Sequence, residues 1–374
     1  MRPTWAAIDL AALVDNAALI RRAAGNAALC AAVKGDAYGH GAVDVARALE
    51  RSGQCAALAV SLVEEGVELR DAGLALPILV MGPALVGGHD ELVARDLTAV
   101  VSAEADLDAL AAIGRARGRV VPIHIKVDTG MGRLGIPVAE VGRLVARALT
   151  GGGVALEGIS THFACADLPD LAAAASSVGA QLAAFDVALA DARAAGARPR
   201  VVHAANSAAI FRFPAACFDM VRAGIALYGN GPVAPPVELG RLRQVMQLES
   251  EVAQIRDVGV GQAVSYGALW RAERPSRIAV IPVGYADGYP RRLTGHADAL
   301  VHGKRCPVVG VISMDMVLVD VTSLSDDARV GDAVVLLGTQ GDQRISTAEL
   351  AERAGLIEYE VTCGISRRVP RIYR

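Results

Sequence analysis

Short apolar runs alternate with longer amphipathic segments between residues 29 and about 230, and this alternation limits the fold more than any other feature of the sequence. Strand-length runs separated by helix-length segments predict parallel strands joined by helices. Eight strands are predicted, over residues 29–33, 56–60, 78–81, 99–102, 120–127, 156–162, 201–203 and 220–222. About eight such units in roughly 230 residues favour a closed (β/α)8 barrel of the TIM type. No glycine-rich dinucleotide fingerprint follows the first strand, which disfavours an open doubly wound sheet.

The sequence changes character after the prolines at 232, 235 and 236, which predict a linker. Four β-rich runs follow, over residues 278–283, 306–311, 317–321 and 334–337. One late helix is predicted from a capping box at Ser346 to about Ala354, and an earlier capping box is predicted at residues 61–64. The expected fold class is therefore α/β plus β, with a (β/α)8 barrel over residues 1–235 and a mostly antiparallel β-domain over residues 236–374.

Composition excludes two classes of partner. Every long apolar run is interrupted by a charge or a glycine before the ~20 residues that a membrane helix needs, so no membrane span is expected. Lys and Arg number 37 and Asp and Glu number 40, for a formal charge of -3. This balance offers no basic face for a phosphate backbone, so nucleic acid is not an expected partner.

The cysteines and the N-terminus indicate a cytoplasmic protein. Six cysteines are scattered singly, without CxxC pairs or zinc-finger spacing, which predicts reduced thiols and no metal site. The first apolar stretch is broken by Asp9 and Asp15 and is followed by Arg21 and Arg22. A secretory signal peptide would carry an uninterrupted apolar segment there.

Lys34 is the first candidate reactive group, because it ends the first predicted strand and barrel enzymes place their reactive groups at the C-terminal strand ends. A desolvated lysine can form a Schiff base with a carbonyl. An isolated lysine is more often a surface residue. Asn206, Ser207, Gly224 and Ile225 follow the last two strands, where barrels often bind a phosphate. A Schiff-base lysine and a phosphate site at the same end of the barrel together suggest that the cofactor is pyridoxal phosphate.

Arg222 ends the eighth strand, one step before the expected phosphate site. Arginine only donates hydrogen bonds and stays protonated, so an arginine against the pyridine nitrogen would leave that nitrogen unprotonated. The cofactor ring would then be a weaker electron sink. A salt bridge at the barrel end is the competing interpretation.

Eight segments in register resemble the alanine racemase family, and together they span nearly the whole chain. They are residues 32–41 (AVKGDAYGHG), 124–135 (HIKVDTGMGRLG), 161–164 (THFA), 205–208 (ANSA), 221–225 (VRAGI), 264–267 (VSYG), 284–288 (GYADG) and 313–316 (SMDM). One such motif would be weak, whereas eight in the family's order are specific.

The resemblance implies roles for individual residues. Lys34 and Tyr266 would be the catalytic bases on the D- and L-faces, with Tyr266 contributed across a head-to-tail homodimer. The cofactor, pyridoxal 5′-phosphate, would be bound by Lys34, Tyr38, His162, Asn206, Ser207, Arg222, Gly224 and Ile225. Arg133, Met314 and Asp315 would bind substrate, and Lys126 matches the lysine that many members carbamylate.

Members of the family have a substrate corridor, the passage by which substrate reaches the active site. At two corridor positions this sequence departs from the family's common pattern. Val311 stands where many members carry Arg, and Arg367 stands where many carry Tyr. The remaining corridor positions are retained: Asp167, Tyr285, Arg291 and Ile365. Our hypothesis is that the charge of Arg367 restores part of the positive electrostatic field at the corridor entrance that is lost with Val311. The alternative is that both positions vary without any effect on function.

The resemblance therefore implies an alanine racemase reaction, in which two bases transfer protons at Cα and the D-alanine formed supplies peptidoglycan. A catabolic role is equally compatible with the sequence. One alternative is a serine or broader-specificity racemase, since the altered corridor could admit a larger side chain. A second is a barrel-type pyridoxal phosphate decarboxylase, which Arg222 disfavours because those enzymes place an acidic residue at the ring nitrogen.

Overall fold

Eight parallel strands close into a barrel in the N-terminal part of the computed structural model, which describes residues 2–84 and 87–374, with the backbone alone for 325–327. After a first strand β1 (Thr4–Ile8), the barrel strands are β2 (Ala28–Ala32), β3 (Ala57–Val60), β4 (Ile78–Val80), β5 (Thr98–Val101), β6 (Val121–Asp128), β8 (Val154–Ser160), β9 (Val201–His203) and β10 (Met220–Ala223), with a short β7 (Ile136–Pro137) beside β6. Pairing of β5 with β6 and of β10 with β2 closes the ring. The predicted barrel is confirmed.

Helices cover the outside of the barrel. They are α1 (Leu10–Ala24), α3 (Ala42–Ser52), α4 (Val63–Asp71), α5 (Gly88–Ala94), α6 (Glu104–Ala116), α7 (Val141–Gly151), α8 (Leu171–Ala194) and α9 (Ser207–Arg212), whereas the short segment α2 (Lys34–Gly39) is a left-handed turn after β2. Asp9 and Asp170 cap α1 and α8, since their carboxylates accept from backbone amides in the first turn. The capping box predicted at 61–64 is displaced by one residue: Leu62 is the N-cap of α4, and Glu65 rather than Glu64 accepts from its amide.

Among the described residues, helix α8 has the length and the apolar composition that a membrane-crossing helix would need. It packs against α7 and buries Val178 and Phe185. On the same face, the Gln181 amide donates to the His162 carbonyl oxygen at 3.0 Å and to the Thr129 hydroxyl at 3.1 Å. These are the contacts of a helix packed on a barrel.

A second sheet, mostly antiparallel, follows the barrel as predicted. Its part of the chain contains β11 (Met246–Glu251), β12 (Gln254–Val258), β13 (Ala263–Val264), β14 (Trp270–Arg271), β15 (Ser276–Ile281), β16 (Asp298–Val301), β17 (Lys304–Val309), β18 (Val317–Asp320), β19 (Ala333–Gln340), β20 (Gln343–Ile345) and β21 (Arg371–Tyr373), with helices α10 (Thr347–Ala354) and α11 (Glu358–Cys363). The late helix α10 ends where predicted.

The first and last strands of the chain meet in this second sheet. Strand β1 pairs antiparallel with β11 and parallel with β21. The N-terminal residues therefore bond to the C-terminal sheet before the chain enters the barrel. The sequence did not predict this pairing, and the domain division at 235/236 stays a prediction.

Candidate active site

A cavity of about 460 Å³ lies at the C-terminal ends of the barrel strands, where barrel enzymes carry their active sites. It brings together eleven of the predicted site residues: Lys34, Tyr38, Lys126, Arg133, His162, Asp167, Asn206, Ser207, Arg222, Gly224 and Ile225. These residues come from five barrel strands and the segments that follow them, so only the closed barrel makes them neighbours.

Lys34 enters the cavity from an unusual turn of backbone. The four residues after it, Gly35 to Tyr38, have φ values of 60°, 54°, 52° and 55°, which form a left-handed turn. Each non-glycine residue in this conformation costs roughly 1–2 kcal/mol. Outside contacts stabilise the turn: the Asp36 carboxylate accepts from the Ala42 amide at 2.8 Å, and the Arg371 guanidinium donates to the Gly39 carbonyl oxygen at 2.8 Å. The turn places Lys34 and Tyr38 on the same cavity.

The surroundings of Lys34 favour its neutral amine. Burial lowers the pKa of the Lys34 ammonium, and the charge of Arg133 lowers it further. Glu65 and Cys363 act in the opposite direction. A lysine with a lowered pKa can serve as a nucleophile or a base at neutral pH.

The part of the cavity where the sequence predicts a phosphate lies beside Tyr38. The Ser207 hydroxyl oxygen accepts from the Gly224 amide at 2.9 Å and from the Ala226 amide at 3.4 Å. A Cβ atom at position 224 would lie 2.4 Å from the Tyr38 hydroxyl, so only glycine leaves this space open. Asn206 lines the cavity as well, although its side-chain oxygen accepts from the Ala209 amide as the N-cap of α9.

Arg222 is buried, with 7% of its surface exposed, and is bound by carbonyl groups and histidines. Its guanidinium donates to the carbonyl oxygens of Thr161 and Ala204 at 2.8 and 3.0 Å. It also contacts Nδ1 of His203 at 2.7 Å and Nδ1 of His162 at 3.1 Å. Burial lowers the pKa of Arg222 to about 10, which still leaves it charged at neutral pH.

The histidines beside Arg222 are neutral. Burial and the charge of Arg222 hold the pKa values of His162 and His203 well below the ordinary range, and burial lowers that of His124 to about 4. Nε2 of His203 lies 2.8 Å from Nδ1 of His124, which extends the contacts of Arg222 into the barrel. Neither His203 nor His124 was among the predicted site residues. They lie on β9 and β6, the two strands that pair with β8.

Lys126 and Arg133 share another wall of the cavity. Burial, followed by the charges of Arg222 and Arg133, lowers the pKa of Lys126 to about 8. The Asp128 carboxylate accepts from the amides of Gly130 and Gly132 at 3.0 and 3.1 Å. These bonds fold the loop that carries Arg133 into the cavity.

The predicted site residues of the second domain do not line this cavity in the part of the chain that the structure describes. They are Tyr266, Tyr285, Arg291, Val311, Met314, Asp315, Ile365 and Arg367. Tyr266 is 72% exposed and Met314 51% exposed, whereas Val311 and Ile365 are buried. Asp315 accepts from the Arg368 guanidinium at 2.7 Å. Within a single chain, the predicted site residues of the barrel line one cavity, whereas those of the C-terminal domain lie outside it.

Within residues 2–84 and 87–374, no group of three or more His, Cys, Asp or Glu side chains is arranged to hold a metal ion. The cavity wall includes one carboxylate among its described residues, Asp167. Its polar groups are otherwise amines, guanidinium groups, hydroxyls, amides and imidazoles. Such a wall suits an anionic, phosphate-bearing ligand.

Comparison with known proteins identifies two family domains. The family described as "Alanine racemase, N-terminal domain" matches residues 8–232, and "Alanine racemase, C-terminal domain" matches residues 245–373. A protein of Sorangium cellulosum named alanine racemase is 44% identical over 387 residues and covers 100% of both chains. Another, of Symbiobacterium thermophilum, is 45% identical over 378 residues, covering 100% of this chain and 97% of its own.

Solved structures agree with these sequence matches. The crystal structure of alanine racemase from D-cycloserine-producing Streptomyces lavendulae has a TM-score of 0.92 at 39% identity, covering 100% of this chain and 97% of its own. Alanine racemase from Bacillus anthracis with bound L-Ala-P has a TM-score of 0.89 at 36% identity, covering 100% of this chain and 95% of its own.

Proposed function

This chain belongs to the alanine racemase family, and we propose that it interconverts L-alanine and D-alanine with pyridoxal 5′-phosphate bound in the barrel cavity. One observation carries the proposal: Lys34, Arg222 and Gly224 line the same cavity. These groups suit an aldehyde, a pyridine nitrogen and a phosphate respectively. The D-alanine formed would supply peptidoglycan synthesis in the cytoplasm.

The cavity fits pyridoxal phosphate in size and in chemistry. Its volume of about 460 Å³ is in the usual range for small-molecule sites. The space left by Gly224 beside Ser207 and Tyr38 suits the phosphate, with Ile225 completing that wall. His162, Asn206 and Arg222 would contact the remainder of the cofactor. When bound, pyridoxal phosphate withdraws electrons from Cα of the substrate and makes the Cα proton removable.

The protein's own groups then decide where the proton goes. A racemase needs a base on each face of Cα, because one base would return its proton to the face it came from. We assign the D-face to the Lys34 amine, whose lowered pKa suits this task. We assign the L-face to the Tyr266 hydroxyl. Arg133 would bind the substrate carboxylate, and a carbamylated Lys126 would orient Arg133.

Tyr266 belongs to a second copy of the chain in this proposal. It lies outside the cavity of its own chain, and it is exposed together with Leu269, Met314 and Met316. Exposed apolar side chains grouped on one domain mark an association surface. A head-to-tail homodimer would bring Tyr266, Met314 and Asp315 to the partner's cavity. It would also complete the corridor from Asp167, Tyr285, Arg291, Val311, Ile365 and Arg367.

A serine or broader-specificity racemase is the second candidate, favoured by the departures at Val311 and Arg367. The contacts of Arg222 argue against a decarboxylase. Its described partners are carbonyl oxygens and neutral imidazoles, so a positive group, rather than an acid, would face the ring nitrogen. That arrangement would leave the ring nitrogen unprotonated and would limit side reactions.

Chiral analysis tests the proposal. Purified protein with pyridoxal phosphate is incubated in D2O with L-alanine or L-serine, and D-isomer formation and Cα deuteration are recorded, with Lys34→Ala as the control. Conversion of alanine with little conversion of serine is the expected result. Comparable conversion of serine would select the broader racemase. Absence of exchange with either substrate would reject racemisation as the function.

A further inference from the structure

The Glu65 carboxylate is bound to the backbone on the C-terminal side of Lys34, although Glu65 does not itself line the described cavity. We propose that Glu65 is a positioning residue for Lys34: it anchors the left-handed turn from which the lysine enters the cavity and supplies the anion that opposes the surrounding positive charges. This inference rests on the proposed role of Lys34 as the cofactor-binding lysine and base.

Both oxygens of Glu65 are used. Oε1 accepts from the Gly35 amide at 2.6 Å, and Oε2 accepts from the amides of Ser61 and Leu62 at 2.7 and 3.0 Å. Capping of helix α4 accounts for the bond to Leu62. The other two bonds join the segments that follow β2 and β3, which are neighbouring strands of the barrel. Glu65 therefore fixes the backbone on both sides of one cavity wall.

The hydrogen bond to the Gly35 amide lies at the point where the backbone enters the left-handed conformation. Gly35 is the first residue of the left-handed turn, with φ of 60°. A short, charge-assisted hydrogen bond at this amide stabilises a conformation that is costly for the residues after it. The direction in which Lys34 leaves the strand depends on that conformation.

The charges around Lys34 are unequal in sign. Arg133, Lys126 and the neutral His162 line the cavity with Lys34, and the charge of Arg133 lowers the pKa of Lys34. Glu65 on α4 and Cys363 on α11 oppose this effect. Burial raises the pKa of the Cys363 thiol and so disfavours its thiolate. The Glu65 carboxylate is the other group that opposes the charge of Arg133. Removing its charge should make Lys34 lose its proton at lower pH.

The test compares Glu65→Gln and Glu65→Asp with Glu64→Gln, a matched control on the adjacent, exposed residue. Full-length protein freed of cofactor is mixed with pyridoxal 5′-phosphate across a pH series. The adduct is trapped with borohydride and quantified on the Lys34 peptide by mass spectrometry. Thermal unfolding is recorded in parallel, so that loss of the helix cap is measured separately.

We expect Glu65→Gln to move the midpoint of the labelling profile to lower pH and to reduce the limiting rate about tenfold through misplacement of the lysine. Glu65→Asp, which keeps the charge on a shorter side chain, should lose rate without the same shift in midpoint. Glu64→Gln should match wild type. If the Glu65 variants lose thermal stability but keep the wild-type labelling profile, Glu65 only caps helix α4, and the inference is overturned. Absence of labelling at Lys34 in wild type would instead reject the proposed function.

Discussion

Arg222 lies 2.7 Å from Nδ1 of His203, and this contact sets the protons on a row of buried histidines. Because a guanidinium has no acceptor, Nδ1 of His203 must accept and its proton must sit on Nε2. That proton is then donated to Nδ1 of His124, 2.8 Å away. The direction of these hydrogen bonds cannot reverse without breaking the bond between His203 and Arg222. It holds the arginine in place as a permanent donor at the base of the cavity.

Replacing Arg222 with Glu should change the outcome of the reaction. An acidic group at the ring nitrogen would keep it protonated and strengthen the cofactor as an electron sink. We expect racemisation of alanine to fall about a hundredfold, as for loss of a preorganised electrostatic group. Pyruvate formation from L-alanine should rise at the same time. Arg222→Lys, which keeps the positive charge, is the control, and equal pyruvate formation by both variants would contradict the argument.

Lys34 and Tyr266 should complement each other between chains. Lys34→Ala and Tyr266→Phe should each be inactive alone. In a mixed dimer, one of the two sites would combine an intact Lys34 with an intact Tyr266 from the other chain. Random subunit exchange should therefore restore about a quarter of wild-type activity. Activity measured after co-refolding the two variants checks this, and no recovery despite mixed dimers would contradict the shared site.

The barrel was predictable because its signals are local. Each strand is a short apolar run, and each helix places its apolar residues on the face that packs on the sheet, as Val178 and Phe185 do in α8. Periodicity within ten to twenty residues reveals such elements. The cavity residues could be named because the strand ends are known once the strands are placed, and because the motifs match a family.

Long-range pairings were not predictable in the same way. Strand β1 is a five-residue segment whose partners, β11 and β21, lie more than two hundred residues away. Nothing in its own sequence identifies them. Glu65 was missed for a related reason: the capping pattern at 61–64 drew attention to Glu64, whereas the bond to Gly35 depends on the meeting of two strand ends.

Lys126 should make stability depend on pH. Its native pKa of about 8 lies below the ordinary lysine value near ~10.4, so between these values the unfolded chain binds more protons and stability rises with pH. In buffer free of carbon dioxide, Lys126→Met should be more stable than wild type at pH 7. The difference should shrink as the pH rises through that window.

Bicarbonate should reverse the difference at Lys126. A carbamate is an anion and would face Arg133, so wild type should gain stability that Lys126→Met does not. At pH 7 about a tenth of a lysine with this pKa is neutral and able to react with carbon dioxide. Thermal unfolding with and without bicarbonate measures both effects, and an unchanged difference between the two proteins would argue against carbamylation.

Arg367 should assist the approach of substrate. It is exposed, whereas Val311 is buried, so of the two altered corridor residues only Arg367 offers its side chain to solvent in the single chain. We expect Arg367→Tyr to raise KM for alanine at low ionic strength, with a smaller effect in salt because exposed charges are screened. Arg256→Gln removes an exposed arginine on β12 and is the control. Unchanged kinetics for both alanine and serine would assign the Arg367 departure to neutral variation.

Ser265 should fix the position from which the Tyr266 side chain extends. Its φ of 64° is left-handed, and its hydroxyl donates to the Val311 carbonyl oxygen at 2.6 Å. A Cβ atom at Gly310 would lie 2.7 Å from Cβ of Ser265, so the two segments pack closely. No hydrogen bond holds the Tyr266 side chain within the described part of the chain, and the backbone of its turn must therefore direct it.

Loss of the Ser265 hydroxyl should affect one direction of proton removal. We expect Ser265→Ala to lower kcat about tenfold through displacement of Tyr266. Because Tyr266 is assigned to the L-face, the isotope effect with Cα-deuterated L-alanine should rise, whereas that with deuterated D-alanine, whose deuteron is removed by Lys34, should not rise. Thr294→Val is a matched control, since the Thr294 hydroxyl oxygen accepts from the Ile312 amide next to Val311. Equal changes with both enantiomers would show that Ser265 supports the fold of the domain rather than the placement of Tyr266.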